Sequence, residues 1–339
     1  MVIDADIHVT LDTIDNLRPY LPERYRQRTR FLNQDEYDRD LGGTLGKRGV
    51  TAAQHLQDMD QEGIDVQVLF PTTLLNFGSL REPDLAAALA RAYNDWLHAF
   101  CQAEPRRFKG VALVALQDIP QAIEELTRAV TQLGMVAVMV PSYVYPGKDL
   151  GSREFDPFYA AVEQLGIPVA VHRVSGSGSV GFERFTNFTA LHTVVPMFEL
   201  ATAVVNMVVG GVFERFPRLK VAYLEAGVGW LPWLVENLDE HCEVRAREVP
   251  HLKARPSEYL RSGRVYFSFE PGEGGVAAAA EVVGEQALLF SSDYPHWDSP
   301  FPHSVRLVRE RRDLSERLKE RVLTLNPAAC YGLPTQVPA

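Results

Sequence analysis

The chain has 339 residues, of which 46% are hydrophobic, so it can bury a sizeable core. Its formal net charge of -10 argues against a nucleic-acid partner and against an anionic membrane, because both attract a basic surface. The three cysteines, Cys101, Cys242 and Cys330, are scattered and form no recognisable disulfide framework, which favours a reducing compartment such as the cytoplasm.

The amino-terminal stretch gives no targeting signal. Its first ten residues carry two acids and no basic run, so we expect no signal peptide. No apolar run reaches the roughly 18 residues that a membrane helix needs. The longest candidate, within residues 201–212, is broken by Asn206. We therefore expect no membrane partner.

Short apolar segments alternate with helical ones along most of the chain. In order, the predicted strands cover residues 2–9, 65–71, 108–116, 135–140, 167–172, 219–224, 264–269 and 287–291. The predicted helices cover residues 51–62, 84–103, 120–133, 156–165, most of 192–216, 231–245 and 276–283, followed by two amphipathic helices around Asp313. Eight strands separated by helices predict an α/β fold, a (β/α)8 TIM barrel, with residues 1–339 forming one domain.

Two long loops interrupt the alternation, one after strand 1 and one after strand 5. The first, residues 10–50, is rich in arginine; we interpret it as a solvated mixed-charge segment, with a lid over an acidic substrate as the alternative. The second, residues 175–181, formally matches the glycine pattern of dinucleotide-binding folds. We reject that interpretation because the preceding strand is the fifth and no helix clearly follows.

Polar residues stand where several predicted strands end. Asp6 and His8 lie two apart in strand 1, so their side chains share one face. His172 ends strand 5, Glu225 follows strand 6, and Asp293 follows strand 8. Each alone has an ordinary explanation as a helix cap or a hydrogen-bonded core residue. Because all strands of a barrel end on one face, we expect the five side chains to converge there.

This set predicts a metal site. Two imidazole nitrogens with two or three carboxylates suit zinc, manganese or iron, whereas magnesium and calcium prefer oxygen ligands alone. We therefore predict a divalent metal cofactor, with zinc as the first choice and manganese or iron as alternatives. One ion is expected, with a pair of ions as the alternative.

Four stretches carry a resemblance to a known family. They are DADIH at residues 4–8, His172 after IPVAV, FERFPRLKVAYLEAGVGWLP at residues 213–232 and SSDYPHWDSP at residues 291–300. With them the chain resembles the amidohydrolase superfamily, in the branch that includes aminocarboxymuconate-semialdehyde decarboxylase and γ-resorcylate decarboxylase. The resemblance spans nearly the whole chain.

The resemblance implies roles for individual residues. Asp6 and His8 match the family's first-strand His-x-His metal motif, with an acid in place of the first histidine. His172 matches the metal ligand of strand 5. Asp293 matches the aspartate of strand 8, which both binds metal and carries a proton.

Two further residues are implied with less definite roles. Glu225 stands where many members have a histidine, so the resemblance leaves open whether it binds metal or substrate. His296 belongs to the DYPH run and would contact substrate or a metal-bound water, or cap the turn. We expect Glu225, Asp293 and His296 to be the catalytic residues. Arg173, beside His172, would pair with a substrate carboxylate or form a surface ion pair.

The resemblance implies an enzyme, and the branch contains two kinds of chemistry. We expect first a hydrolase that uses a metal-activated water on an amide, ester, lactone or thioester. The alternative is a decarboxylase of an aromatic or enoic acid, and a more remote one is a non-catalytic binding barrel. The aromatic residues Phe185, Phe188, Trp230 and Trp297 suggest an apolar or aromatic small-molecule substrate, with core packing as the alternative. The relatives also suggest a homodimer.

Overall fold

A computed structural model describes residues 1–11, 14–27, 50–142, 144, 148–173 and 179–336. Eight parallel strands form one sheet in the order β1 to β8, the topology of a (β/α)8 TIM barrel. The strands are β1 Ile3–Val9, β2 Val66–Pro71, β3 Phe108–Leu113, β4 Ala137–Pro141, β5 Pro168–His172, β6 Lys220–Leu224, β7 Val265–Phe269 and β8 Leu288–Phe290. The predicted fold is confirmed.

Helices fill the connections between the strands. They are α1 Glu23–Arg26, α2 Ala52–Glu62, α3 Pro83–Cys101, α4 Ile119–Thr131, α5 Asp156–Leu165, α6 Phe188–Val209, α7 Val212–Arg215, α8 Leu231–Val244, α9 Pro256–Leu260, α10 Val276–Val283, α11 Ser304–Glu310, α12 Glu316–Glu320 and α13 Asn326–Tyr331. A π-helical turn, Arg321–Leu325, joins the last two. Short 3-10 helices add Ile14–Tyr20, Leu75–Ser79, Arg153–Phe155, Phe182–Arg184 and Glu285–Ala287.

Local sequence signals account for several helix ends. Gly63 and Gly166 end α2 and α5 in the left-handed conformation, each with φ 73, as a glycine after a helix should. α6 begins four residues earlier than predicted because Asn187 caps it, accepting a hydrogen bond from the backbone N–H of Ala190 at 2.9 Å. Helix α9 was not predicted, since five residues give too little periodicity to recognise.

The two long loops lie where they were expected, after β1 and β5. The first is not featureless, because it contains the 3-10 helix Ile14–Tyr20 and α1. Residues 28–49 of that loop, which include Arg28 and Arg30, lie outside the described residues. So do residues 174–178 of the second loop, with most of the glycine pattern that we rejected.

Helix α6 corrects one expectation. Among the described helices it alone is long and apolar enough, by length and composition, to cross a membrane. The predicted limit at residues 201–212 was therefore too short. Its buried residues pack against β5 and β6, and a helix that covers a sheet in this way passes the same test.

The strands β8 and β1 meet at a seam that is held by side chains and loop backbone. Ser291 donates through Oγ to the carbonyl of Asp6 at 3.0 Å, and the N–H of Ser292 donates to Asp4 Oδ1 at 3.1 Å. The N–H of His8 donates to the carbonyl of Tyr294 at 2.8 Å. The seam therefore joins the first strand directly to the segment that follows the last one.

Candidate active site

The five residues predicted at strand ends come together at the carboxyl end of the barrel. Asp6, His8 and His172 have no exposed surface, Asp293 is 2% exposed and Glu225 is 7% exposed. We call these five residues the carboxyl-end cluster. In β1 the odd-numbered residues are apolar, and Asp6 and His8 share the other face, as period-two alternation predicts.

Two members of the cluster have an uncommon backbone. Glu225 has φ 62 and Asp293 has φ 53, and they are the two described non-glycine residues with positive φ. Each follows the end of its strand, where the left-handed conformation redirects the chain. Such backbone costs on the order of 1–3 kcal/mol and persists where surrounding contacts hold it, often at functional sites.

The two histidines present the same nitrogen to the centre of the cluster. Nδ1 of His8 lies 3.0 Å from the carbonyl of Pro71, and Nδ1 of His172 lies 2.9 Å from the carbonyl of Arg173. A carbonyl only accepts, so each Nδ1 carries the proton and donates it. In the neutral ring, Nε2 then keeps a free lone pair. This orientation is the one that metal-binding histidines usually have.

The carboxylates gather around these nitrogens. Glu225 Oε2 lies 3.0 Å from Nε2 of His172 and 3.2 Å from Nε2 of His8. Asp293 Oδ1 lies 3.3 Å from Nε2 of His8, and Asp6 Oδ1 lies 3.7 Å from the same atom. These separations match donor atoms that share one ion at the usual bond length of about 2.0–2.2 Å.

A cation fits the cluster because six of its buried nitrogen and oxygen atoms make no hydrogen bond. The unbonded atoms are Asp6 Oδ1 and Oδ2, His8 Nε2, His172 Nε2, Glu225 Oε2 and Asp293 Oδ1. Buried polar atoms almost always find a hydrogen bond, so six such atoms without one call for a positive charge in the cluster. The mixed nitrogen and oxygen donors suit a divalent metal ion.

The electrostatics of the protein without metal point the same way. Burial raises the pKa of Asp6, and the nearby His172 and His8 offset this rise only in part. Burial would lower the pKa of His172, but the carboxylates of Glu225 and Asp6 outweigh it and the pKa is raised. The cluster therefore draws in positive charge, which protons supply where a metal does not.

Arg173 favours the ionised form of Glu225. Burial would raise the pKa of Glu225, but Arg173 and then His172 hold it well below its ordinary value. The guanidinium donates through Nη2 to Glu225 Oε1 and lies 2.8 Å from Nε2 of His192. Arg173 is only 4% exposed. Its interpretation as a surface ion pair is therefore wrong.

Asp293 lies on the acidic side of the cluster. Burial raises its pKa well above the ordinary value, and the carboxylates of Glu225, Asp298 and Glu270 raise it further. Carboxylate oxygens of Asp293, Asp298 and Glu270 lie within 4.8 Å of one another. Burial, followed by Asp298, also raises the pKa of Glu270 to about 8. The raised pKa values of Asp293 and Glu270 therefore favour a bound proton on these carboxyl groups.

The side chain of His296 contacts Asp293. Its Nδ1 lies 2.8 Å from Asp293 Oδ1, its Nε2 lies 3.4 Å from Oγ1 of Thr72, and its ring centroid is 4.0 Å from that of His8. Burial, followed by the nearby His8, lowers its pKa well below the ordinary value. His296 is therefore a neutral ring between Asp293 and a hydroxyl.

Sequence reasoning missed several neighbours of the cluster. His192 starts an aromatic group with Phe188 and Trp297, with ring centroids 5.0 to 5.7 Å apart, and Trp297 is 40% exposed. Glu270 directly follows β7, and this strand-end position was the signal that could have found it. Of the other predicted aromatics, Trp230 donates its indole N–H to the carbonyls of Ala226 and Gly227, and Phe185 is half-buried.

Comparison with known proteins places the chain in a class. The amidohydrolase family model matches residues 3–333, so this chain belongs to the amidohydrolase family, as the sequence motifs indicated. Two curated relatives are decarboxylases. The 2-amino-3-carboxymuconate-6-semialdehyde decarboxylase of Dictyostelium discoideum is 28% identical over 82% of this chain and 76% of its own length. The γ-resorcylate decarboxylase of Rhodococcus jostii is 26% identical over 71% and 76%.

Solved structures share the fold. A 5-carboxyvanillate decarboxylase from Sphingomonas paucimobilis superposes with a TM-score of 0.81 at 24% identity, covering 98% of this chain and 99% of that one. A second 5-carboxyvanillate decarboxylase, from Novosphingobium aromaticivorans, has a TM-score of 0.76 at 21% identity, with 98% and 97% covered, and was solved with bound manganese.

These comparisons correct the functional prediction. Hydrolysis by a metal-activated water was our first expectation, and it is wrong, because the similar curated proteins are decarboxylases. The expectation rested on the acidity that Glu225 adds to the cluster. That acidity is compensated by Arg173, which sequence could not place. The prediction that the chain is an enzyme of this superfamily is confirmed, which removes the non-catalytic barrel.

Proposed function

We propose that this chain is a metal-dependent, non-oxidative decarboxylase of an aromatic acid, formed by one domain over residues 1–339. One observation carries the proposal: six buried polar atoms of the carboxyl-end cluster make no hydrogen bond, in a chain whose curated relatives are decarboxylases. The half-buried Phe188 and the partly exposed Trp297 beside the cluster suit a planar aromatic substrate.

Asp6, His8, His172 and Glu225 would hold the ion, with Asp293, which lies close to His8 and Glu225, as the further carboxylate. A bound divalent ion would supply positive charge that stabilises the negative charge of the substrate. Carboxylate-rich donors favour manganese, which is also bound in a solved structure of the same fold. Zinc, our first choice from the sequence, stays a prediction, and so does a pair of ions.

Asp293 would supply the proton that replaces the carboxyl group. Burial, followed by the acids around it, raises the pKa of Asp293, which favours the protonated carboxyl group. Asp293 gives this proton to the ring carbon that bears the carboxylate. The bond from that carbon to the carboxylate then breaks, its electron pair returns to the ring, and carbon dioxide leaves.

His296 would restore the proton. Nδ1 faces Asp293 and Nε2 faces Thr72, so the neutral ring can accept a proton on one nitrogen and release one from the other. Glu225, kept ionised by Arg173, leaves Asp293 as the acid that changes its protonation state. Water supplies the proton, so the reaction needs no oxidant or reductant.

The experiment that tests this function begins with metal analysis of the purified protein. We expect one equivalent of manganese, zinc or iron, and none in an Asp6→Ala/His8→Ala double variant. The wild-type protein is then incubated with ortho-hydroxybenzoic acids in deuterated water. We expect release of carbon dioxide and one deuterium on the ring carbon that lost the carboxylate, with neither product from the double variant.

A second panel of esters, lactones and amides serves as the comparison. Hydrolysis of any of these without release of carbon dioxide from the acids would refute the proposal. Our expectations of a homodimer and of a cytoplasmic location are retained as proposals. Size-exclusion chromatography with light scattering tests the first, and fractionation of the source cells tests the second.

A further inference from the structure

The inner face of α2 is polar, although the helix covers the barrel from outside. Of its three buried residues, His55 has no exposed surface, Asp58 is 3% exposed, and only Met59 is apolar. An outer helix normally buries an apolar stripe against the sheet. A buried carboxylate costs stability unless specific partners compensate it, so Asp58 needs an explanation.

The partner of Asp58 belongs to the segment that carries Asp293. The phenol of Tyr294 donates a hydrogen bond to Asp58 Oδ2, 236 positions away in the chain. The side-chain amide of Gln54 donates to both carboxylate oxygens, at 3.1 and 3.0 Å. Tyr294 is 3% exposed, and its ring packs edge-on against His55 with a centroid distance of 5.5 Å. The Tyr294 side chain is therefore held by a hydrogen bond at its hydroxyl and by packing of its ring against His55.

The backbone of Tyr294 touches the carboxyl-end cluster at two points. It directly follows Asp293, whose φ is 53. Its carbonyl accepts the N–H of His8 at 2.8 Å. The backbone of Tyr294 is therefore joined both to Asp293 and to β1.

A second contact ties the same helix to the end of the same segment. Glu62, in the last turn of α2, accepts hydrogen bonds from the N–H and Oγ of Ser304, at 3.0 and 2.7 Å, and from the N–H of Val305 at 3.3 Å. Residues 295–303, with His296 and Asp298, lie between the two contacts. Helix α2 thus holds the segment after β8 at both ends.

We propose that Asp58 is a positioning residue that acts through Tyr294 to hold Asp293 in its metal-binding orientation. This role rests on the proposed metal site. Without the phenol–carboxylate hydrogen bond, Tyr294 can move, and Asp293 can relax to a backbone with negative φ. Its carboxylate would then turn away from His8, and the cluster would lose a donor while the barrel stays folded.

The test compares two tyrosines that make the same bond in different places. Tyr294→Phe removes the hydroxyl that donates to Asp58, and Tyr259→Phe removes the hydroxyl that donates to Glu214, outside the carboxyl-end cluster. Asp58→Asn keeps an oxygen that accepts from the phenol, and Asp58→Leu removes it. The manganese dissociation constant and the melting temperature of each full-length variant are measured by calorimetry.

We expect manganese affinity to fall about 10- to 100-fold in Tyr294→Phe and in Asp58→Leu, the range usual for groups that orient metal ligands. It should stay near wild type in Asp58→Asn and in Tyr259→Phe. Equal affinity in Tyr294→Phe and Tyr259→Phe, with wild-type binding intact, would overturn the positioning role alone. A wild-type protein that bound no divalent ion would overturn the proposed site and this role together.

Discussion

Two buried polar clusters in this molecule differ in whether their polar atoms are hydrogen-bonded. Between α3, α4 and β3, the amide of Asn94 bonds both the N–H and the carbonyl of Leu113 and also Glu125, at 2.8 to 2.9 Å. Arg128 then donates to both oxygens of Glu125 and to Asp95, at 2.7 to 2.8 Å. In the carboxyl-end cluster, six donor atoms have no such partner.

The difference shows what each cluster requires. The cluster of Asn94, Glu125 and Arg128 compensates its own charges, so it needs nothing further and serves to join helices to the sheet. The carboxyl-end cluster is incomplete without a cation. Unsatisfied polar atoms, rather than burial or charge, therefore distinguish the candidate active site from a structural network.

The largest expected effect comes from the incomplete cluster. Asp293→Asn should lower turnover about 100- to 10,000-fold, because the amide carries no transferable proton, while the fold is retained. Steady-state rates of carbon dioxide release measure the turnover, and circular dichroism checks that the fold is retained. A variant that kept most of its activity would show that the role given to Asp293 is wrong.

A substitution in the cluster of Asn94, Glu125 and Arg128 should lower stability without changing metal binding. Asn94→Ala leaves the N–H of Leu113 and a carboxylate oxygen of Glu125 without this partner, so the free energy of unfolding should fall by about 1–3 kcal/mol. Urea unfolding measures the loss, and metal analysis should give the same stoichiometry as wild type. Loss of metal in Asn94→Ala would remove the distinction between the two clusters.

A third expected effect concerns the pH dependence of stability. The pKa of Glu270 is raised to about 8 in the folded protein, against about 4.5 for an ordinary glutamate. Between these values the unfolded chain has released the proton that the folded protein keeps, so stability falls as pH rises through this window. In chelator-treated protein, Glu270→Gln should flatten the decline between pH 5 and pH 8. An unchanged slope would show that Glu270 ionises normally.

Much of the architecture could be predicted, because it depends on local patterns. The alternation in β1 separated inward Asp6 and His8 from apolar neighbours, and glycines marked the ends of α2 and α5. The strand-end rule then brought distant residues to one face without any knowledge of contacts. Patterns of this kind involve residues that are close together in the chain, so they can be recognised from the sequence alone.

What escaped prediction depends on contacts between distant positions. Arg173 could be read as a surface residue until its guanidinium was found against Glu225, 52 positions later. Asp58 on an outer helix gave no sign that it meets Tyr294. The acidity that favoured hydrolysis was judged from one side of such a pair. Glu225, considered without Arg173, made the cluster look more acidic than it is and led to the expectation of a hydrolase.

The seam between β8 and β1 has a consequence for how the protein is made. A ribosome releases β1 first, and Ser291, Ser292 and Tyr294, which bond it across the seam, emerge almost 300 residues later. Until then the inward carboxylates of the first strand lack these neighbours. The carboxyl-end cluster is thus among the last parts to be completed during synthesis, and a nascent chain truncated before the end of β8 lacks Asp293.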